Sequence, residues 1–277
     1  MTLHKAVLAA EARQGSVHGS AQELWTRILM GKHADEGLEV LRASGVLAET
    51  LPEIQAMVGF GGTGQGHKDL WEHTKLVVRQ TKAQPCLRWA ALFHDTGKVS
   101  TLSRATGKIS FHKHEFVSAR LLRRALTRVR LVDAQVLEQA HAVVQNLGLV
   151  EAYASDWTDS AVRRLRKELG EHFERVLLLA RADITTKHAH KRQRHHERLH
   201  ELADRAAQIV SQDAIVPPLP KGLGDALMAA FAIPPSKRLG DLKAALERAV
   251  ADGRIEAHRD APYYVEFLSG HRAEFGL

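Results

Sequence analysis

Apolar residues recur every three to four positions along most of the chain, the period of helices with one buried face. From about Ser20, Leu24, Ile28 and Leu29 share one face. Leu38, Val40 and Leu41 mark a second short helix that Gly45 ends, and Leu51-Pro52-Glu53 closes this opening section. Asp69 stands where an N-cap belongs, ahead of a helix carrying Leu70, His73, Val77 and Gln80. Ala90, Ala91, Leu92 and Phe93 then run straight into His94-Asp95, the buried end of a helix that stops at Gly97. Further helices are expected from His114 through Phe116, Ala119, Leu122 and Leu126, over about 134–147, and over 159–169. Another ends at Asp183 after Val176, Leu179 and Ala180, and a long basic helix reaches about Ser211. No proline falls between Pro85 and Pro217, as an uninterrupted helical body requires. The expected fold class is all-α.

The punctuation between these segments is equally plain. Gly59 to Gly66 form a glycine-rich loop without the Gly-Lys-Ser/Thr ending or the preceding strand of a phosphate-cradling loop, so a mobile loop over a pocket, or else a plain linker, is expected. Residues 101–111, with Thr106-Gly107 in the middle, suit a small hairpin or an irregular loop. Val216-Pro217-Pro218-Leu219-Pro220 is a linker, and two short helices are expected beyond it, around Leu227 and Leu246.

Composition narrows the setting. The one cysteine, Cys86, cannot form an internal disulfide, and no run approaches the roughly 20 apolar residues of a membrane span. The apolar run near Met1 is too short for a signal peptide, and a cytoplasmic location is expected. A net charge of +7 favours anionic partners. Arg120, Arg123, Arg124, Arg128 and Arg130 cluster on one segment, and Lys187, Lys191, Arg192, Arg194 and Arg198 on another. Such runs are also what solvated helix faces look like, and charge by itself does not separate the two.

Chemistry enters where polar residues interrupt apolar faces. His73, His94, Asp95, His114, His141 and Asp183 each lie on or at the end of such a face, and five different helices contribute them. One buried histidine is commonly a satisfied core residue. Four imidazoles and two carboxylates form a mixed nitrogen and oxygen donor set suited to first-row transition metals, which helical bundles hold between facing helices. Lys98 adds a positive charge suited to phosphate. His188, His190, His195, His196 and His200 lie among arginines with no apolar face, as a solvated basic surface does.

The order His73, His94-Asp95, Asp183 resembles the signature of the HD phosphohydrolase superfamily. Within it, Gly66 to Thr74, Phe93 to Lys98, Phe111 to Glu115, Ala180 to Asp183 and Ala251 to Ile255 are similar to the body of bacterial tRNA nucleotidyltransferases and poly(A) polymerases. The resemblance implies a helical neck at 1–58, an HD phosphohydrolase bundle at 59–211 and a small helical tail at 212–277. It implies two divalent ions (manganese, nickel, cobalt, iron or zinc), with Asp95 bridging, His73, His94 and Asp183 on the first, and His114 and His141 on the second. It further implies metal-assisted hydrolysis of a phosphoester, with Lys98, Arg120 and His112 at the substrate and His67 or His112 protonating the leaving oxygen. The family's polymerase head carries a Gly-Ser motif and paired aspartates that this sequence does not contain, so nucleotide addition is not expected. The expected substrates are nucleotides or RNA ends, of the 2′,3′-cyclic phosphate or phosphomonoester kind, with tRNA as a further partner. A non-catalytic tRNA-binding module, or a subunit lent to a separate nucleotidyltransferase, is the alternative.

Overall fold

The computed structural model of the chain describes residues 21–61, 69–104, 109–214 and 217–277. The first four described helices are α1 (Ala21–Met30), α2 (Ala34–Ala43), α3 (Val46–Thr50) and α4 (Pro52–Gln55). They are followed by α5 (Leu70–Gln80), α6 (Pro85–Phe93), α7 (Lys98–Thr101), α8 (His114–Val129), α9 (Ala134–Glu151), α10 (Asp159–Leu169), α11 (Phe173–Asp183) and α12 (Ala189–Ala214). Then follow α13 (Leu223–Phe231), α14 (Lys237–Ala251), α15 (Ala261–Gly270) and α16 (Arg272–Phe275). Among the described residues the only β pairing is an isolated antiparallel bridge between Ser103 and Ser110, which spans the expected hairpin. The fold is all-α. Residues 62–66 of the glycine-rich loop, His67 and Thr106-Gly107 lie outside the described residues.

The chain divides into two compact units, the first ending at Ile209 and the second covering Val210–Leu277. In the first, α6 is the central element. Every residue from Cys86 to Phe93 is buried, as expected of a helix apolar on all sides, and α1, α5, α8, α9 and α11 pack around it. Pro85 starts it at a position where its missing N–H costs nothing. Burying one leucine or phenylalanine side chain contributes about 1.5–3 kcal/mol, so α6 anchors the bundle. The first four helices belong to the same core: Trp25 of α1 packs on Trp89 of α6 with ring centroids 5.5 Å apart. Glu39 of α2 accepts hydrogen bonds from Arg42, from Trp71 Nε1 and from Lys75, the latter two on α5. Burial would raise its carboxyl, but these three donors outweigh it and hold the pKa at about 2.

Asp69 caps α5 as expected, its carboxylate accepting the Glu72 N–H. At the end of α6 the structure differs from expectation. The helix ends at Phe93, His94 to Gly97 form turns, and Gly97 has an ordinary φ of −64°. Glycine is needed there for closeness: its N–H donates to Ser118 Oγ at 2.8 Å, and a Cβ would collide with the carbonyl oxygen of His114. The start of α8 is thereby held against the His94-Asp95 turn.

The second unit has its own small core of Leu223, Leu227, Leu246, Ala249, Ile255, Tyr264 and Leu268. The tail is more helical than expected. α14 is 15 residues long, and α15 follows an Asp260 cap that accepts the Tyr263 N–H, with Pro262 in its first turn. Asp260 and Pro262 form a helix start signal that apolar periodicity does not carry.

Candidate metal centre

Four elements converge beside the end of α6. α5 presents His73, the turn after α6 presents His94 and Asp95, α8 begins with His114, and α11 ends with Asp183. Gln80 of α5 donates to the Ala182 carbonyl at 2.7 Å, tying α5 to the last turn of α11 and so His73 to Asp183. His94 and Asp95 are almost wholly buried, at 1% and 2% exposure. Such polar groups are tolerated in a core only when partnered.

Their partners are one another. His73 Nε2 lies 3.2 Å from His94 Nε2, and these two nitrogens are 2.9 and 3.2 Å from Asp183 Oδ1. Asp95 Oδ2 is 3.5 Å from each of the same nitrogens. Its other oxygen, Oδ1, faces His114 Nε2 at 3.4 Å. The opposite ring nitrogens are all occupied. His94 Nδ1 donates to the Ala91 carbonyl at 2.8 Å, His114 Nδ1 donates to the Phe111 carbonyl at 3.0 Å, and His73 Nδ1 is 3.0 Å from Thr185 Oγ1. A carbonyl can only accept, so Nδ1 of His94 and of His114 carries a hydrogen, which leaves Nε2 as the ring atom that can offer a lone pair to an ion in the cluster.

This is the outer support usually found behind metal-ligating histidines. His73, His94 and Asp95 each offer one atom within a common span of 4.8 Å. Asp183 Oδ1 is shut off from solvent with no well-formed hydrogen bond, despite the two imidazole nitrogens beside it. Lone pairs and carboxylate oxygens directed at one point are what a divalent cation reconciles. The residues present fit one.

Electrostatics point the same way. Burial alone would depress the His94 pKa, but Asp95 and Asp183 outweigh it and raise it to about 9. Burial would raise Asp95, yet His94, His114 and Lys98 hold it well below the usual carboxylate range. Asp183 is likewise lowered, with His94 and His73 prevailing over burial. Lys98 Nζ donates to Asp95 Oδ2 at 2.6 Å, so its charge is already engaged with the cluster.

The remaining expected residues are dispersed. His141 is half-buried on α9, and burial and then Arg123 push its pKa down. It lies ten residues, about 15 Å of helix rise, from Glu151, the α9 residue that reaches Asp183. Among the described residues His141 is not brought into contact with the cluster: its periodicity gave the face correctly, while depth along the axis was not encoded in it. His112 and Arg120 are both exposed. Glu151 itself was missed. Burial of its carboxyl and then the charge of Asp183 raise its pKa to about 8, although the residue as a whole keeps much of its surface exposed. It shares a helical stripe with His141 and Gly148, and that spacing was the available signal.

An all-helical bundle with a buried histidine–carboxylate cluster able to hold a divalent ion defines the class of the protein. The HD domain family model matches residues 68–211, and the chain belongs to that family, within the metal-dependent phosphohydrolase superfamily. It is similar to the A-adding tRNA nucleotidyltransferase of Deinococcus radiodurans, 31% identical over 247 residues, covering 86% of this chain and 56% of that protein. It is similar also to the CC-adding tRNA nucleotidyltransferase of Thermus thermophilus, 26% identical over 278 residues, covering 97% of this chain and 61% of that protein. A multifunctional CCA protein of Azoarcus is 32% identical over 161 residues, covering 53% of this chain and 39% of that protein. The chain thus spans about three fifths or less of each relative's length.

Proposed function

We propose that the protein is a transition-metal-dependent phosphohydrolase acting on phosphoesters of RNA ends or nucleotides, of the 2′,3′-cyclic phosphodiesterase or phosphatase type. The observation that carries this is the convergence of His73, His94, Asp95 and Asp183 with their outer ring nitrogens occupied. These four would hold one ion. Asp95 directs its two oxygens to different neighbours, Oδ2 to His73 and His94 and Oδ1 to His114, which supports a bridging role and a second ion at His114. Mixed imidazole and carboxylate donors suit manganese, iron, cobalt, nickel or zinc. Held by these residues, a divalent ion would supply Lewis acidity toward a phosphoryl oxygen and would lower the pKa of water toward about 7.

The protein's own groups do the rest. Ala91 and Phe111 carbonyls orient the imidazoles, and Lys98 balances the negative charge of Asp95 close to where phosphate oxygens gain charge. Glu151, which reaches Asp183 from the end of α9, is a candidate to protonate a leaving oxygen there. His67 and His112 are the other candidates for that step, and Arg120 for contact with the substrate.

The test combines metal analysis with hydrolysis of 2′,3′-cyclic and monophosphate nucleotides in manganese, cobalt or nickel. His94→Ala and Asp183→Asn are expected to lower kcat/KM by at least about 100-fold; full activity in either variant refutes the assignment. A tRNA-binding role without hydrolysis, alone or beside a separate nucleotidyltransferase, is favoured by one observation, the similarity to tRNA nucleotidyltransferases over most of the chain. Tight, salt-sensitive tRNA binding by protein that takes up no metal and hydrolyses nothing would establish that role instead.

A further inference from the structure

A cavity of about 400 Å³ opens beside the cluster, within the size range of small-ligand pockets. Glu151 of α9, Ala180 and Asp183 of α11, the connector Ile184, Thr185 and Thr186, and His195, Arg198 and Leu199 of α12 line it. Asp183 is the only residue it shares with the four-residue cluster, so the cavity leads away from the metal centre.

Arg198 is the unusual group in its wall. Arg198, Glu201 and Arg205 fall on one stripe of α12, at spacings of three and four. Two of them are fully committed. Arg205 donates to Tyr153 Oη, the Ser155 and Trp157 carbonyls and Asp159, while Glu201 accepts from Tyr153 and Ser155. These bonds pin α12 to the chain between α9 and α10. Arg198, one turn earlier, has a single 3.4 Å contact between Nη2 and His195 Nδ1. Its Nε is buried without an acceptor, and it forms no ion pair among the described residues. A buried, unmatched guanidinium donor calls for an explanation, and a planar fork of N–H groups matches the paired oxygens of a phosphate.

We propose that the cavity receives the terminal nucleoside of an RNA end and that Arg198 binds the phosphate on the 5′ side of that nucleoside. Resting on the phosphohydrolase function proposed above, this puts the scissile phosphate at the Asp183 rim and the sugar against the Glu151 carboxyl and the connector hydroxyls. Ile184, Leu199 and Ala180 cover the apolar surface. A lone cyclic mononucleotide has only one phosphate, which the proposed metal centre would take. A second anion one nucleoside away exists only where the chain continues or the 5′ hydroxyl is phosphorylated. The site therefore selects the end of a chain over the free mononucleotide.

The test compares kcat/KM of manganese-loaded protein for uridine 2′,3′-cyclic phosphate, its 5′-phosphorylated form, and a dinucleotide ending in the cyclic phosphate. Both extended substrates are expected to be favoured by about tenfold or more, the scale of a charge-assisted hydrogen bond. Arg198→Ala is expected to bring the ratio within about twofold of unity, and Arg198→Lys to retain part of the preference. A preference confined to the dinucleotide, an unchanged ratio in Arg198→Ala, or no preference in the wild type overturns the proposal. A second readout needs no catalysis: metal-free protein is titrated with uridine 3′-monophosphate and uridine 3′,5′-bisphosphate. Tighter bisphosphate binding, lost in Arg198→Ala, supports the subsite even if nothing is hydrolysed and the hydrolase function fails. Hydrolysis without any discrimination by Arg198 leaves the hydrolase function standing and removes the subsite.

Discussion

His94 shows most directly how one residue couples the cluster to pH. With its pKa at about 9 in the metal-free protein, it carries a proton at neutral pH, and an ion at Nε2 must displace that proton. Metal affinity is therefore expected to weaken as pH falls below about 9, by up to tenfold per unit for one displaced proton. The metal-free fold has the opposite dependence. A histidine raised from its unfolded value near 6.5 contributes stability that is complete below about pH 6.5 and lost as pH rises through about 9. Calorimetric titration of manganese or nickel at pH 6, 7 and 8, in buffers of different ionisation enthalpy, checks both proton release and its direction. A flat affinity over that range would show that His94 is not a ligand. Asp95 complements this, because its lowered pKa keeps it ionised throughout and available to the ion.

Among the elements, the junction between the His94-Asp95 turn and α8 is the most exacting. A Cβ on Gly97 would meet the His114 carbonyl oxygen and lie 2.9 Å from Ser118 N, both backbone atoms that cannot swing aside. Gly97→Ala is expected to cost about 2–4 kcal/mol and to displace His114 from Asp95. Urea denaturation measures the loss, and a change under about 0.5 kcal/mol would mean that the junction is looser than drawn. The sequence carried one part of this and not the other. Helical period placed His73, His94, His114 and Asp183 on or at the ends of buried faces, because apolar neighbours three and four residues away announce a face. Gly97 after an apolar run looked like a helix stop, because its reason for being glycine is α8, which is distant in sequence. Glu151 and Arg198 were hidden for a related reason. One ends a helix beyond its last apolar anchor at Val150 and the other stands in a basic run, so each resembles a solvated residue until the cavity brings them together. His141 failed differently, since period fixes the face and leaves the position along the axis free.

At the scale of the whole molecule, two cores of unequal size set the expected unfolding behaviour. The first unit holds the large cluster built around α6, and Val210–Leu277 has a separate core of seven buried residues. A unit of under 70 residues buries a smaller fraction of its surface and is correspondingly marginal. Every residue of the proposed metal centre lies in the first unit. Scanning calorimetry is therefore expected to resolve two transitions, the smaller one at lower temperature with roughly a quarter of the total enthalpy, because unfolding enthalpy scales with residue number. A ligand stabilises only the cooperative unit that binds it, by about 2.7 kcal/mol at a hundredfold excess over Kd. Manganese or nickel should then raise the larger transition by roughly 5–10 °C and leave the smaller one in place. A single transition that moves as one on metal addition would mean that the two cores unfold together, and that binding at the His94-Asp95 turn is felt along the entire chain.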